Sequence, residues 1–237
     1  MAKALSFLLG LALLLGMLVA AGAYALREGH VVVPAHWRPW AAVTLTEPPG
    51  PFTRFKLARL ERDPALCRSV LATTPLVWRP LPDTPRRGDC GWRNAVQISA
   101  TESMVKPPFP LSCRAAVALA LWEHHVLQPA AQRHFGMPVR RIEHLGSYAC
   151  RNVYGRDTGP RSQHASADAL DIAGFVLQDG RRLRVLRHWD EAGPAGRLLR
   201  EVHQGACRYF DGALGPEYNQ AHRDHLHLDR GGPHVCR

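Results

Sequence analysis

The sequence predicts an α+β domain, a small antiparallel sheet with flanking helices, preceded by an N-terminal transmembrane helix. Three observations point there. Beyond Gly88, helical patterns are interleaved with strands that suit antiparallel pairing. From Ala4 to Leu26 the chain reads "ALSFLLGLALLLGMLVAAGAYAL", without a charge, between Lys3 and Arg27. A helix of that length spans a hydrocarbon core of about 30 Å. Finally, Cys67, Cys90, Cys113, Cys150, Cys207 and Cys236 are dispersed, even in number and free of any C-x-x-C pair. That pattern reads as three disulfides made in an oxidising compartment, not as a zinc ribbon.

Taken in order, residues 1–26 are an anchor or a signal segment. The apolar run exceeds the roughly 7–15 residues of a signal-peptide core, yet Ala21, Gly22 and Ala23 offer a small-residue cleavage site. Both readings export the rest of the chain. Residues 27–87 read as a proline-rich tether with short helices. "VVVPAHWRPWAAVTLTEPPGPFTRF" holds five prolines and little periodicity, and its aromatics hold it down in part. "KLARLERDPALCRSVL" is a short helical pair broken at Asp63-Pro64, and "RPLPDTPRRGDCGW" leads into the domain at 88–237. There "NAVQISATESM" suits a strand and turn. "SCRAAVALALWEHHVLQPAAQRHF" is a long helix with an apolar stripe, ended by Gly136 and Pro138. "VRRIEHLGSY" is a strand, and "DIAGFVLQDGRRLRVLRHW" is a hairpin about Gln178-Asp179-Gly180. "AGPAGRLLREVHQGACRYF" is a further helix and "DHLHLD" the last strand. Of the fifteen disulfide pairings, neighbours in sequence are the expectation: Cys67–Cys90, Cys113–Cys150 and Cys207–Cys236.

Thirty Lys and Arg against twenty Asp and Glu give a net charge of +10. In a cytoplasmic protein that would suggest nucleic acid. Here the arginines are scattered and the chain is exported, so no nucleic-acid partner is expected. An anionic envelope polymer or a lipid surface is the acidic neighbour, unless the charge serves solubility alone.

The chemistry concentrates in "HRDHLHLD", residues 222–229. On a strand, alternate side chains share a face, so His225, His227 and Asp229 point one way and Leu226 and Leu228 the other. Parallel imidazoles are a natural metal-binding pair, and Asp229 is either an orienting carboxylate or a solvated end residue. The partner segment is "RSQHASADALDIAGF". His164 and Asp171 are separated by small residues that let the backbone turn tightly. Asp171 also heads an apolar strand, where an uncompensated buried carboxylate is costly. Ser162 is a hydrogen-bonding support, and Asp168 is either that or loop polarity.

The combination S-x-H-x6-D … H-x-H resembles the LAS group of zinc peptidases, which includes D-alanyl-D-alanine carboxypeptidases and the penicillin-insensitive murein endopeptidase. More closely, "GSYACR…SQHASADALDIAGF…GACRYF…LGPEYNQAHRDHLHLD" resembles the bacterial extensin-like C-terminal domain family. The resemblance implies a LAS- or hedgehog-type zinc-peptidase fold with His164, Asp171 and His227 as ligands of one Zn2+ per chain. It implies His225 as general base or stabiliser of the tetrahedral intermediate, and His222 as a substrate or water contact. Where the carboxypeptidases carry a glutamate base, this chain has the shorter Asp224. "GSYACR" is similar to a segment of the related peptidases, which makes Arg151, with Ser162, a substrate-binding candidate. The related motif carries glycine where this chain has Ala167.

The expected function is hydrolysis of peptide bonds in peptidoglycan stems or cross-links. The domain would sit on the periplasmic side of the inner membrane, or be free in the periplasm if the leader is cleaved. Two alternatives stand: a non-catalytic zinc-containing wall-binding or scaffold module, and a metal-free disulfide-bonded structural protein. His124 and His125 lie in a helix with Trp122 and read as surface or packing residues, and His144, His188, His203 and His234 have no partner at ligand spacing. Trp92, Trp189 and Tyr148 are core residues or groove linings.

Overall fold

The computed structural model describes residues 2–84 and 88–237. Positions 85–87, within the expected approach to the domain, lie outside the described residues. The apolar run forms helix α1, Ala2–Arg27. Its stretch Ser6–Arg27 is long and apolar enough to cross a membrane. An extended segment with one 3-10 turn at Ala35–Trp37 leads to α2, Thr53–Arg62, and α3, Pro64–Leu71. The break falls at Asp63-Pro64, as the sequence expects. The Asp63 carboxylate accepts from the Leu66 amide at 2.9 Å, and Pro64 takes the first helical position, where its missing N–H costs nothing.

Next come β1, Val77–Pro80, β2, Ala95–Ala100, and β3, Met104–Ser112. The long helical stretch is α4, Cys113–Trp122, a π-turn at Glu123–Leu127, and α5, Gln128–Phe135. Ser112 caps its start, and Gly136 ends it in the left-handed conformation, φ 67°. Strand β4, Val139–Gly146, and β5, Ala169–Leu177, are followed by β6, Arg182–Arg184, and the single turn α6, Val185–His188. The chain closes with α7, Pro194–Ala206, then β7, Gly212–Leu214, β8, Leu226–Asp229, and β9, Val235–Cys236.

The strands form one sheet in the order β1-β2-β3-β4-β5-β8-β7-β9, with β6 also on β5. The protein is α+β, but its sheet is neither small nor purely antiparallel. The β3–β4 and β7–β9 pairs are parallel. The first has a clear cause: α4 and α5 form a helical crossover, the connection that a parallel neighbour requires. β1 and β9 lie in segments that the sequence presents as a proline-rich approach and as a terminus. β5 is buried almost throughout and holds β4 on one edge, with β8 and β6 in succession on the other.

The core also begins upstream of Gly88. Leu57, Leu60, Val70 and Leu71 are buried in the same cluster as Val117, Leu121 and Trp122. The disulfide Cys67–Cys113 ties α3 to the head of α4. A second bridge, Cys90–Cys150, joins the entry to β2 with the loop after β4, and a third is Cys207–Cys236. Only the last follows neighbours in sequence. The other two are exchanged because α3 packs on α4, bringing Cys67 to Cys113 and leaving Cys90 for Cys150. Trp189 is a core residue, whereas Trp92 meets the half-exposed Tyr148 edge to face at 4.8 Å.

Candidate functional site

The site is built on the pairing of β5 with β8. Asp171 and His227 stand directly opposite each other in that register, so their side chains leave the same face. Leu226 and Leu228 enter the core from the other face, fully buried. The His227 Nδ1 lies 2.9 Å from Asp171 Oδ1.

His164 arrives from the preceding loop. It sits in a one-turn 3-10 helix, Gln163–Ser166, whose His164 amide donates to the capping Ser162 hydroxyl at 3.3 Å. Ala167 ends the turn at φ 55°, ψ 31°. This left-handed step redirects the chain into β5 two residues later, and it is where the related motif has glycine. The tight turn brings His164 Nε2 to 3.1 Å from Asp171 Oδ2 and 3.2 Å from His227 Nδ1. The three side chains are only 5%, 12% and 12% exposed, for His164, Asp171 and His227.

Hydrogen bonds fix both rings. The Ser147 carbonyl lies 3.0 Å from His164 Nδ1 and can only accept, so this nitrogen carries the proton and Nε2 turns its lone pair to the cluster. His227 Nε2 lies 3.1 Å from Asp229 Oδ2. Asp229 is itself held by the amides of Gly231 and Gly232, both at 3.2 Å. Once His227 gives up its second proton, the remaining one shared with Asp229 turns the Nδ1 lone pair to Asp171 and His164. Gly212 faces Asp229 across β7 and β8, and a Cβ there would meet Asp229 Oδ2 at 2.0 Å. Glycine is therefore required for this carboxylate to sit where it does.

Burial opposes ionisation of Asp171, but the hydrogen bonds and charge of His164 and His227 outweigh it and hold the carboxyl far below the usual range. Burial likewise disfavours charge on His227, yet Asp171 and Asp229 lift it to about 9. Two carboxylates thus draw positive charge, here a proton on His227, to the point where the three side chains meet.

Two more histidines flank the trio. His225 Nε2 is 3.6 Å from Asp171 Oδ1, and its Nδ1 donates to Asp224 Oδ1 at 2.8 Å. Asp224 is half-exposed and points at His225, which it orients. The His222 ring lies tilted against His225 at 5.3 Å and edge-on to His227 at 5.7 Å between ring centres. Burial and the neighbouring His227 and His225 push His222 down to about 4, so it is neutral at physiological pH. Asn219 Oδ1 accepts from His222 Nδ1 at 2.8 Å and from the Ala221 amide at 3.0 Å. The Asn219 amide donates to the Tyr154 hydroxyl at 2.8 Å, linking the two loops.

The cluster forms the floor of a cleft of about 630 Å³, within the range of sites that take small ligands or peptide segments. Arg151, Tyr154, Ser162 and Tyr218 are among its walls. The Arg151 loop is pinned by Cys90–Cys150 at one end and by its carbonyl accepting from Ser162 at 3.1 Å. His164, Asp171, His222, His225, His227, Arg151 and Ser162 thus meet at one cleft. Asp224 stands outside the wall and reaches it only through His225. No sequence pattern signals Ser147 or Tyr154, which act through approaches made by distant segments, whereas Asn219 caps the turn that carries His222 from within it. The remaining histidines have partners of their own, such as Glu102 for His124 and the Ala213 carbonyl for His203.

Helices packed on a mainly antiparallel sheet, with two imidazoles and a carboxylate gathered under a cleft, define an α+β domain with a candidate cation site. The family described as extensin-like protein C-terminus matches residues 65–237, and the chain belongs to it. The match begins upstream of Gly88, as the core does. No curated protein and no solved structure matches the chain.

Proposed function

We propose that this chain is an exported, membrane-anchored zinc peptidase that hydrolyses peptide bonds in the stems or cross-links of peptidoglycan. The observation that carries the reading is the convergence of His164 Nε2, His227 Nδ1 and the Asp171 carboxylate at 2.9–3.2 Å from one another. Four donors bound tetrahedrally at about 2.0–2.1 Å would be spaced by about 3.4 Å, so these three nearly describe one face of such a polyhedron. Two neutral imidazoles and a carboxylate suit zinc, and three protein ligands leave a fourth position, the pattern of catalytic zinc sites. His164, Asp171 and His227 would hold the ion. When bound, it supplies Lewis-acid polarisation of a carbonyl and a water acidic enough to react near neutral pH.

The chain's own residues supply the rest. Asp229 and the Ser147 carbonyl orient the two rings. His225, aligned by Asp224, takes a proton from the attacking water and returns it to the leaving amine as the C–N bond breaks. Arg151 offers a guanidinium to a substrate carboxylate on the cleft wall. The cell-wall substrate is supported by the resemblance of the His/Asp/His pattern to the LAS peptidases. Three disulfides support an oxidising envelope compartment, and the apolar α1 supports anchorage in its membrane.

The test is digestion of purified peptidoglycan by the zinc-loaded full chain, with released fragments identified by mass spectrometry. The expected result is cleavage that a chelator abolishes and added zinc restores. His225→Ala should retain zinc and lose roughly 10²–10⁴-fold in rate, the ordinary contribution of a general acid–base. A zinc-loaded chain that binds peptidoglycan without changing it would instead be a wall-binding module.

A further inference from the structure

The segment after α1 is bound to the domain and aromatic on its outer side. The α1 helix frays through a compact turn, with Glu28 N bonded to the Tyr24 carbonyl at 2.9 Å and Val31 N to the Ala25 carbonyl at 3.2 Å. The chain then lies against α2. Lys56 Nζ donates to the Ala35 carbonyl at 2.6 Å, and Arg59 Nη1 to the carbonyls of Pro39 and Trp40 at 3.1 and 2.9 Å. Phe55 and Arg59 are four apart on α2 and so share its outward face. The backbone is held, yet the large side chains are left out. Trp37 is 56% exposed, Trp40 71% and Phe55 55%. Exposed aromatics on a segment and a helix held together in this way offer an apolar surface for contact.

Its neighbour is defined by what it is attached to. Only residues 28–36 separate Arg27 from Trp37, a reach of at most about 35 Å even if fully extended. The turn after α1 shortens it further. The local charge is basic: Arg27, Arg38, Arg59 and Arg62 outnumber Glu28 and Glu47, while Arg54 and Glu61 are paired with Asp211 and Arg114. Exposed tryptophans with arginines beside the end of an apolar helix match the chemistry of the headgroup zone, where indole rings partition and cations meet anionic lipid.

We propose that Trp37, Trp40 and Phe55, with the flanking arginines, form a membrane-interface seat that lays the domain against the anionic surface of the bilayer holding α1. This rests on reading α1 as an inserted anchor and is independent of the peptidase chemistry. The consequence is a domain held in one orientation at the lipid surface, not one swinging on a free tether.

Of the six tryptophans, Trp122 and Trp189 are buried, and Trp78 and Trp92 are half-buried and common to both proteins, so the change in indole quenching on replacing Trp37 and Trp40 reports the seat. The full chain is assembled, one copy per disc, in nanodiscs of phosphatidylcholine and phosphatidylglycerol, with or without bromine on the acyl chains near the headgroups. The expected result is quenching by the brominated lipid that falls at least threefold in the Trp37→Phe, Trp40→Phe variant. Phenylalanine at positions this exposed leaves the fold intact. A chain that fails to co-elute with the discs removes the anchor and the seat together. A chain that co-elutes but is not quenched, or is quenched equally in the variant, overturns the seat alone.

Discussion

At the scale of single residues, the candidate site is a set of rings whose orientation is decided one bond away from the cluster. His227 faces Asp171 and His164 because Asp229 holds its other nitrogen, and Asp229 can do so because residue 212 has no side chain. Carboxylates in this position behind a ligating imidazole are worth about 10–100-fold in metal affinity. Asp229→Asn is therefore expected to weaken zinc binding by that factor, measured by competition with a chromophoric chelator, while the fold persists. Unchanged affinity would mean that Asp229 is a structural end residue. Much of this layer was legible in the sequence. Alternation along "HLHLD" separates the imidazoles from the buried leucines, and the small residues after His164 announce a tight turn. Ser147 was not legible, since a carbonyl acceptor carries no pattern until tertiary folding brings it to its histidine, 17 residues on; Asn219 caps the turn before His222 locally, a signal that an Asn three residues upstream could have given.

At the scale of elements, the helical crossover contains a device unrelated to the cleft. Glu123 opens the π-turn between α4 and α5 and is fully buried. Its Oε1 accepts from the Ser103 amide at 2.8 Å and from Gln128 at 3.2 Å, while Oε2 has no hydrogen-bond partner. Burial is the dominant influence and raises its pKa, against the lowering effect of those donors. An acid with a raised folded-state pKa contributes stability that is fully present below its unfolded value, about 4.3, and is lost as pH rises through the folded value. Glu123→Gln stays neutral, so relative to the native chain its thermal midpoint should rise as pH goes from 5 to 8. Each unit of pKa difference corresponds to about 1.4 kcal/mol. A gap between the two proteins that does not change with pH would show that Glu123 is ionised in place. The strands around the hairpin at Gln178 and the break at Asp63-Pro64 were readable because turn chemistry is local. β1, the parallel pairs and two of the three disulfides were not, because they depend on which element packs on which.

At the scale of the whole molecule, the helices before Gly88 share one core with the sheet, and the disulfides cross from them into the site-bearing half. Cys67–Cys113 secures α3 to α4, and Cys90–Cys150 fixes the loop that carries Arg151 and leads towards His164. A cleft of this kind needs a floor that does not move, and β5 supplies it as an interior strand bonded along both edges. The helices at 53–71 are short and separated from the core strands by a proline-rich stretch, so no sequence pattern announces that they share this core. The charge of the whole chain, +10, remains available for an anionic polymer or lipid at its surface.

All of the proposed chemistry depends on His164, Asp171 and His227 being the ligands of one zinc ion. Elemental mass spectrometry on the folded, oxidised full chain, beside the same chain carrying His227→Ala, decides it. The expected outcome is one zinc per native chain and less than a tenth of that in the variant. No zinc in the native chain after equilibration with the ion, or equal zinc in both, would overturn the assignment.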